Sequence, residues 1–205
     1  MTELEKMIKG KLYDPSDKEV FNLRTKAHRL NIKYNSLIDE EYEEKIKILT
    51  DFGVKFKENA YFQGPIYFDY GLNISVGKNF YCNFNFTCLD ICPVTIGDNV
   101  FIGPNVSIVT PIHPYLPEER NLFQKDDGSF TDLEYGKPIT IHDNCWIASN
   151  VTVCGGVTIG EGCIIGAGSV VTKDIPPYSL ACGNPCKVIR KITERDSVKN
   201  KPELY

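Results

Sequence analysis

Isoleucine or valine recurs every sixth residue at Ile141, Ile147, Val153, Ile159, Ile165 and Val171, and again at Ile96, Ile102 and Ile108. The neighbouring columns keep the same step. Gly97, Gly103, Ala148, Gly160 and Gly166 each follow one of these aliphatic residues, and four positions on stands a small or aliphatic side chain such as Val100, Cys145, Val157 or Ser169. A period of six fits neither the helix nor the two-residue alternation of a simple strand. It is a signature of parallel β-helices, in which three hexapeptides complete a coil, each giving one short strand and one turn. The aliphatic side chains then point inward and stack coil on coil, and the small residue beside each lets the backbone turn without a Cβ clash.

The first part of the chain has a different period. Leu4, Met7, Ile8 and Leu12 follow helical spacing, as do Val20, Leu23, Ala27 and Leu30, then Ile38, Tyr42, Ile46 and Leu49. Asp14 with Pro15 at the first helical position, or Ser16-x-x-Glu19 as a capping box, would start the second helix. These helices form a cap over residues 1–58. From Tyr61 the pattern turns to strands, with irregular early coils punctuated by Gly64-Pro65, Asp69-Tyr70-Gly71 and Gly77-Lys78-Asn79. The repeat is regular from Val94, stops after Ile108 and resumes at Ile139, so residues 59–185 read as one solenoid. The interruption, 110–137, is too polar and too rich in proline for coil and reads as one long loop leaving the solenoid. Residues 186–205 form a basic tail after Pro176-Pro177 and Gly183-Asn184-Pro185, suited to covering the open edge.

Composition narrows the function classes. A chain of 205 residues with net charge −4 has no broad electrostatic footprint for nucleic acid. The charged N-terminus is neither signal nor anchor, and no apolar run reaches membrane-spanning length, so a cytoplasmic protein is expected. The eight cysteines include two C-x3-C pairs, Cys88/Cys92 and Cys182/Cys186, within structural-zinc spacing. The repeat accounts for several of them otherwise: Cys82 and Cys88 continue the six-step from Val76, and Cys145 and Cys163 fill the small inward slot as reduced thiols. No metal is expected. Of three histidines, His113 stands at the root of the ejected loop, where a general base for neutral pH would meet the solenoid surface. His142 occupies a turn slot and reads as a surface residue; His28 lies on a predicted helix and reads as structural.

The six-step repeat, the segment Asn79–Asn85, Ile96-Gly97-Asp98-Asn99-Val100, Thr110-Pro111-Ile112-His113-Pro114, the run Gly166–Asp174 and Gly183-Asn184-Pro185 together resemble the maltose and galactoside O-acetyltransferases, over essentially the whole chain and its helical cap. The resemblance implies a mainly β fold, a left-handed parallel β-helix of hexapeptide repeats with an N-terminal helical cap and a long ejected loop. It implies an acetyl-CoA-dependent O-acetyltransferase acting on a sugar hydroxyl, assembled as a homotrimer with active sites between subunits. His113 is then the catalytic base, acting by direct attack without an acetyl-enzyme, and Asn83 an acceptor-site asparagine. Asp69 and Asp90 fall at or near acceptor-contacting positions, and either Asp14 or Asp17 matches an N-terminal acceptor contact, although helix capping explains each equally well. Trp146, Ser149, Ala167, Thr172, Lys173, Lys187 and Arg190 match positions lining the acetyl-CoA groove, the three cations facing phosphates. The excursion carries an added stretch, Gln124–Asp132, relative to the galactoside enzymes, which leaves the acceptor open. A non-sugar acceptor (an antibiotic or an amine) and a non-catalytic β-helical scaffold are the alternative readings.

Overall fold

Three short strands per turn wind the chain into a three-sided prism. The structure, a computed structural model, describes residues 1–204. The first face stacks Lys55–Phe56, Ile74–Val76, Val94–Ile96, Ile139–Ile141 and Thr158–Ile159. The second stacks Tyr61–Phe62, Tyr81–Cys82, Phe101–Ile102, Trp146–Ile147, Ile164–Ile165 and Ser179–Cys182. The third stacks Ile66–Phe68, Phe86–Leu89, Ser107–Val109, Thr152–Cys154 and Val170–Val171. All these pairings are parallel and in register. The aliphatic column of the sequence becomes the core: Ile96 pairs with Ile141 and that with Ile159, Ile102 with Ile147 and Ile165, Ile108 with Val153 and Val171. None of these nine side chains is more than 2% exposed.

The glycines beside the aliphatic residues serve a different purpose from the one expected. Gly97 and Gly103 do not have positive φ; the left-handed residues at the corners include Asn59, Asn79, Asn85, Asn99, Asn105, Asn144 and Asn150, with Gly156, Gly162 and Gly168 in later coils. Asparagine tolerates that region better than other non-glycine residues. What requires glycine at 103 is the next coil, since a Cβ there would lie 2.8 Å from Ala148 C and from Ser149 N. At one corner the asparagines also bond to one another: Asn59 Nδ2 donates to Asn79 Oδ1 (3.0 Å), Asn79 to Asn99 (2.8 Å) and Asn99 to Asn144 (3.2 Å). This polar ladder runs outside the apolar one.

The early coils look irregular because they are longer. Ser75 pairs with Lys55 and Thr95 with Ser75, a step of 20, whereas Ile164 follows Trp146 by 18. The additional residues sit at the corner after Phe68, where Asp90 of the next coil accepts from the amides of Tyr70 (2.9 Å), Gly71 (3.1 Å) and Asn73 (3.2 Å). Aromatics replace aliphatics inside: Phe62, Phe68, Phe80 and Phe86 are buried and pack edge-on or tilted. The cysteines behave as the repeat implies. Cys82, Cys88, Cys145 and Cys163 are buried free thiols in the main core, while Cys92 belongs to a second small core with Met7, Tyr13, Val20, Tyr70 and Ile91.

The helices α1 (Glu3–Ile8), α2 (Lys18–Asn35) and α3 (Tyr42–Phe52) close one end. Two expectations change here. The N-cap of α2 is Asp17, whose carboxylate accepts from Glu19 N and Val20 N; neither Asp14 nor Ser16 caps it. The solenoid also begins earlier than residue 59, since Lys55–Phe56 already pairs with Ile74–Val76. On α2, Asn31 and Asn35 lie one turn apart and act as a substitute strand for the open edge. Asn31 bonds both Phe68 N (3.0 Å) and Phe68 O (2.8 Å); Asn35 bonds Ile66 N and O, both at 2.8 Å. Tyr34 Oη donates to Phe62 O at 2.7 Å. At the other end Lys187–Lys191 runs antiparallel along Ser179–Cys182 and covers that edge, as expected of the tail. No helix among the described residues is long and apolar enough to cross a membrane.

Replacing Asn31 with alanine leaves a buried strand amide and carbonyl of Phe68 without partners. The expected loss is about 2–4 kcal/mol of unfolding free energy, measured by urea denaturation, against well under half that for Asn22→Ala on the exposed face of the same helix.

Candidate active site

The ejected segment is more ordered than a plain loop. Pro111–Ile112 pairs antiparallel with Tyr135–Gly136, a short helix covers Pro117–Arg120, and Phe123–Gln124 forms a hairpin with Phe130–Thr131. One step along the first ladder His113 stands opposite Glu134, and on the far side of Glu134 the backbone of Tyr13 bonds it in both directions (3.0 and 3.4 Å). The imidazole is half exposed. Its Nδ1 lies 3.8 Å from Asp132 and its Nε2 3.9 Å from Glu134. Acids two apart on an extended strand share a face, so Asp132 and Glu134 point the same way.

Burial pushes the Glu134 carboxyl up, opposed by the hydrogen bond from Tyr13 Oη and by His113. Tyr13 is driven far above the ordinary phenol range, by burial first and then by the Glu134 charge. Asp69 is likewise raised by burial, with His28 and Arg24 opposing; His28 Nε2 stands 3.8 Å from its carboxylate. His28 and Asp69 thus sit together in a groove between α2 and the third face. Asp14 behaves oppositely. Partial burial pushes it up, but hydrogen bonds from Thr131, Ser16 and Lys125 outweigh that and hold it well below the usual carboxylate range. Lys125 Nζ contacts Asp14 and Ser16, both at 2.9 Å.

These contacts divide the proposed acceptor residues. Asp14 and Asp69 lie on the His113 side of the molecule, Asp14 tying the hairpin to the cap. Asp17 is occupied in capping α2. Asp90 is a correction: it is fully buried, it spends both oxygens on backbone amides, and burial pushes it up to about 7, so it anchors the corner and does not face a ligand. Asn83 lies elsewhere, at the corner between the second and third faces. Its Oδ1 accepts from Phe84 N (2.8 Å), and an open groove of about 560 Å³ beside it is lined by Tyr81, Phe101, Gly103, Trp146 and Ser149.

The residues matched to the cofactor split in the same way. Trp146 and Ser149 line the Asn83 groove, and the ladder places Ala167 one coil beyond Ser149. Thr172 and Lys173 follow Val170–Val171 on the third face, at the corner where the excursion with His113 leaves. A β-bulge at the outer edge of the second face puts Lys187 opposite Cys182 and Arg190 opposite Leu180, so a step of three brings both cations to one side. Arg190 already grips Asp196 in a two-pronged pair (2.6 and 2.8 Å), which pulls that carboxyl down to about 2. Sequence reasoning passed over Tyr13, Asp132 and Glu134. The alternation Asp132-Leu133-Glu134 was the available signal, hidden because the whole excursion was read as loop.

Comparisons with known proteins agree along the chain. A maltose acetyltransferase hexapeptide capping motif matches residues 6–52, a hexapeptide repeat of succinyl-transferase 93–113, and a bacterial transferase hexapeptide of six repeats 138–173. The galactoside O-acetyltransferase of Escherichia coli K12 is 42% identical over 196 residues, covering 96% of this chain and 92% of that protein. That of Lactococcus lactis is 36% identical, covering 90% and 86%. A maltose O-acetyltransferase structure from Clostridium difficile 630 superposes with a TM-score of 0.84 at 44% identity, covering 95% and 99%. A galactoside acetyltransferase solved with coenzyme A gives 0.85 at 41%, covering 96% and 94%.

The Asp14 strap has a defined pH response. Its carboxyl is lower in the folded chain than in the unfolded one, so its contribution is complete above the ordinary Asp value of about 4 and is lost as pH falls through the lower folded value. Amide hydrogen exchange within 123–131, taken relative to the intrinsic rate at each pH, should stay slow to pH 5 and accelerate only in stronger acid. Asp14→Ala should accelerate it already at pH 7, with little change in core exchange.

Proposed function

The chain belongs to the hexapeptide-repeat family of maltose and galactoside O-acetyltransferases, and on that premise we propose that it acetylates a sugar hydroxyl with His113 as general base. Members of this family are acetyl-CoA-dependent O-acetyltransferases, and this chain is one of them. The observation that carries the assignment of the base is the half-exposed His113 imidazole beside the carboxylates of Asp69, Asp132 and Glu134. Such a wall accepts hydrogen bonds from a polyhydroxylated ligand. The imidazole takes the proton of the acceptor hydroxyl as that oxygen bonds to the thioester carbonyl carbon. The carbon–sulfur bond then breaks, and the imidazolium returns the proton to the departing thiolate. No acetyl-enzyme forms. General-base assistance contributes roughly 10²–10⁴ in rate, and holding both reactants together supplies more.

Acetyl-CoA fits best along the groove of small residues, with Trp146 against its apolar arm and Ser149 and Ala167 leaving it room. Thr172 and Lys173 extend the binding surface, and Lys187 and Arg190 meet the phosphates, one phosphate replacing Asp196 on the Arg190 fork. The acceptor meets Asp69 and Asn83. Because Asn83 and His113 sit at different corners of one prism, the reading requires a second copy to bring them together. A homotrimer does so, packing the exposed Phe84, Phe101 and Trp146 between subunits.

His113→Ala should lower kcat by about 10²-fold or more while acetyl-CoA still binds, as followed by thiol release and calorimetry. Near-wild-type turnover would remove the mechanism. Mixing His113→Ala chains with Asn83→Ala chains should restore part of the activity, because mixed trimers contain sites free of both changes. An active monomer in light scattering would refute the shared site.

A further inference from the structure

The surroundings of His113 hold a carboxylate whose place is set by the fold on both sides. His113 and Glu134 each lie one step beyond the last ladder pair, Ile112 with Tyr135, and Glu134 is itself bonded through its backbone to Tyr13, so the fold brings His113, Glu134 and Tyr13 together. Directly opposed residues in such a ladder bring their side chains together. The Glu134 side chain is 14% exposed, against 31% for Asp132 and 49% for His113. Tyr13, which is fully buried, donates its hydroxyl to Oε1, leaving Oε2 toward the imidazole. Tyr70, also buried in the same small core, places its hydroxyl beside that of Tyr13. Nothing comparable among the described residues tethers Asp132.

We propose that Glu134, seated by Tyr13, is the positioning residue for His113: it accepts a hydrogen bond from the Nε2–H and thereby leaves Nδ1, on the Asp132 side of the ring, as the base. The inference rests on His113 being that base. The present 3.9 Å is an ion-pair distance, roughly 1 Å beyond a hydrogen bond, and catalytic hydrogen bonds commonly tighten only when substrate is bound. The partnership fixes which tautomer is present and stabilises the imidazolium that forms as the acceptor proton arrives. Burial raises the Glu134 carboxyl, and the Tyr13 bond works against that rise, so the tyrosine favours the ionised form of a poorly solvated carboxylate beside the imidazole. The charged and titratable groups facing Glu134 are Tyr13 from the cap, Asp69 and Tyr70 from the corner after the third face, and His113 and Asp132 from the excursion, with Arg24 of α2 opposing Asp69.

The test compares wild type, His113→Ala, Glu134→Gln and Tyr13→Phe by thiol release over pH 5–9, with folding checked by thermal unfolding. Glu134→Gln should lower kcat at least about tenfold, leave the KM for acetyl-CoA and acceptor within about twofold, and move the acidic limb of the rate profile to lower pH. That direction follows because removing the negative charge disfavours the protonated imidazole. Tyr13→Phe, which keeps the ring and the carboxylate, should give a smaller fall in kcat and move the acidic limb upward as Glu134 becomes easier to protonate. Wild-type kcat and profile in both variants overturn the proposal. So does a loss confined to the acceptor KM, which makes Glu134 an acceptor contact. An active His113→Ala fails the underlying reading instead, and that result is separable because it does not involve Glu134.

Discussion

Parallel coils depend on one requirement: each backbone amide and carbonyl must find its partner in the coil above or below, because the strand carries none within itself. Everything else in the molecule answers to that spacing. It forces an inward side chain to sit over its equivalent, as Ile102, Ile147 and Ile165 do. It leaves no room for a Cβ at Gly103, and it brings corner asparagines close enough to bond in a ladder. It also leaves both ends unsatisfied, so each end has a dedicated cover. Asn31, Asn35 and Tyr34 imitate a strand at one, and Lys187–Lys191 supplies a real one at the other.

The chemistry is placed where that regularity is broken. His113 arises because the chain leaves the prism after Thr110 and returns only at Lys137, pairing with itself and with the cap on the way. The small residues of the Asn83 corner arise for the opposite reason, since regular stacking there demands them. The proposed active site therefore joins an irregular, polar wall around His113 to a regular, narrow groove beside Asn83. Neither corner of a single prism has both.

How much of this was readable from the sequence follows the same division. The coils from Val94 onward were plain because aliphatic residues and a step of six repeat without error. The earlier coils were blurred, since their step of 20 breaks the hexapeptide at one corner and phenylalanines replace the aliphatics. Asp17 rather than Asp14 capping α2 was unreadable, as spacing permits either, and the outcome turned on Lys125 and Thr131 claiming Asp14 from more than a hundred residues away. Asp90 fits an acceptor role by position alone; only its burial and three amide partners reassign it. Glu134 was invisible for a related reason: its significance depends on Tyr13 and His113 meeting it from either side.

Ile96 and Ile141 stack directly although 45 positions separate them, so the coil count is indifferent to what lies between. Closing an excursion entropically costs only about 0.6 kcal/mol more for each doubling of its length, and here hairpin and cap contacts offset part of even that. The proposed acceptor wall can thus lengthen, shorten or change composition while the stacked core and the groove beside Asn83 remain untouched. In such an architecture, acceptor choice is a nearly independent variable, adjustable by insertion at a single seam.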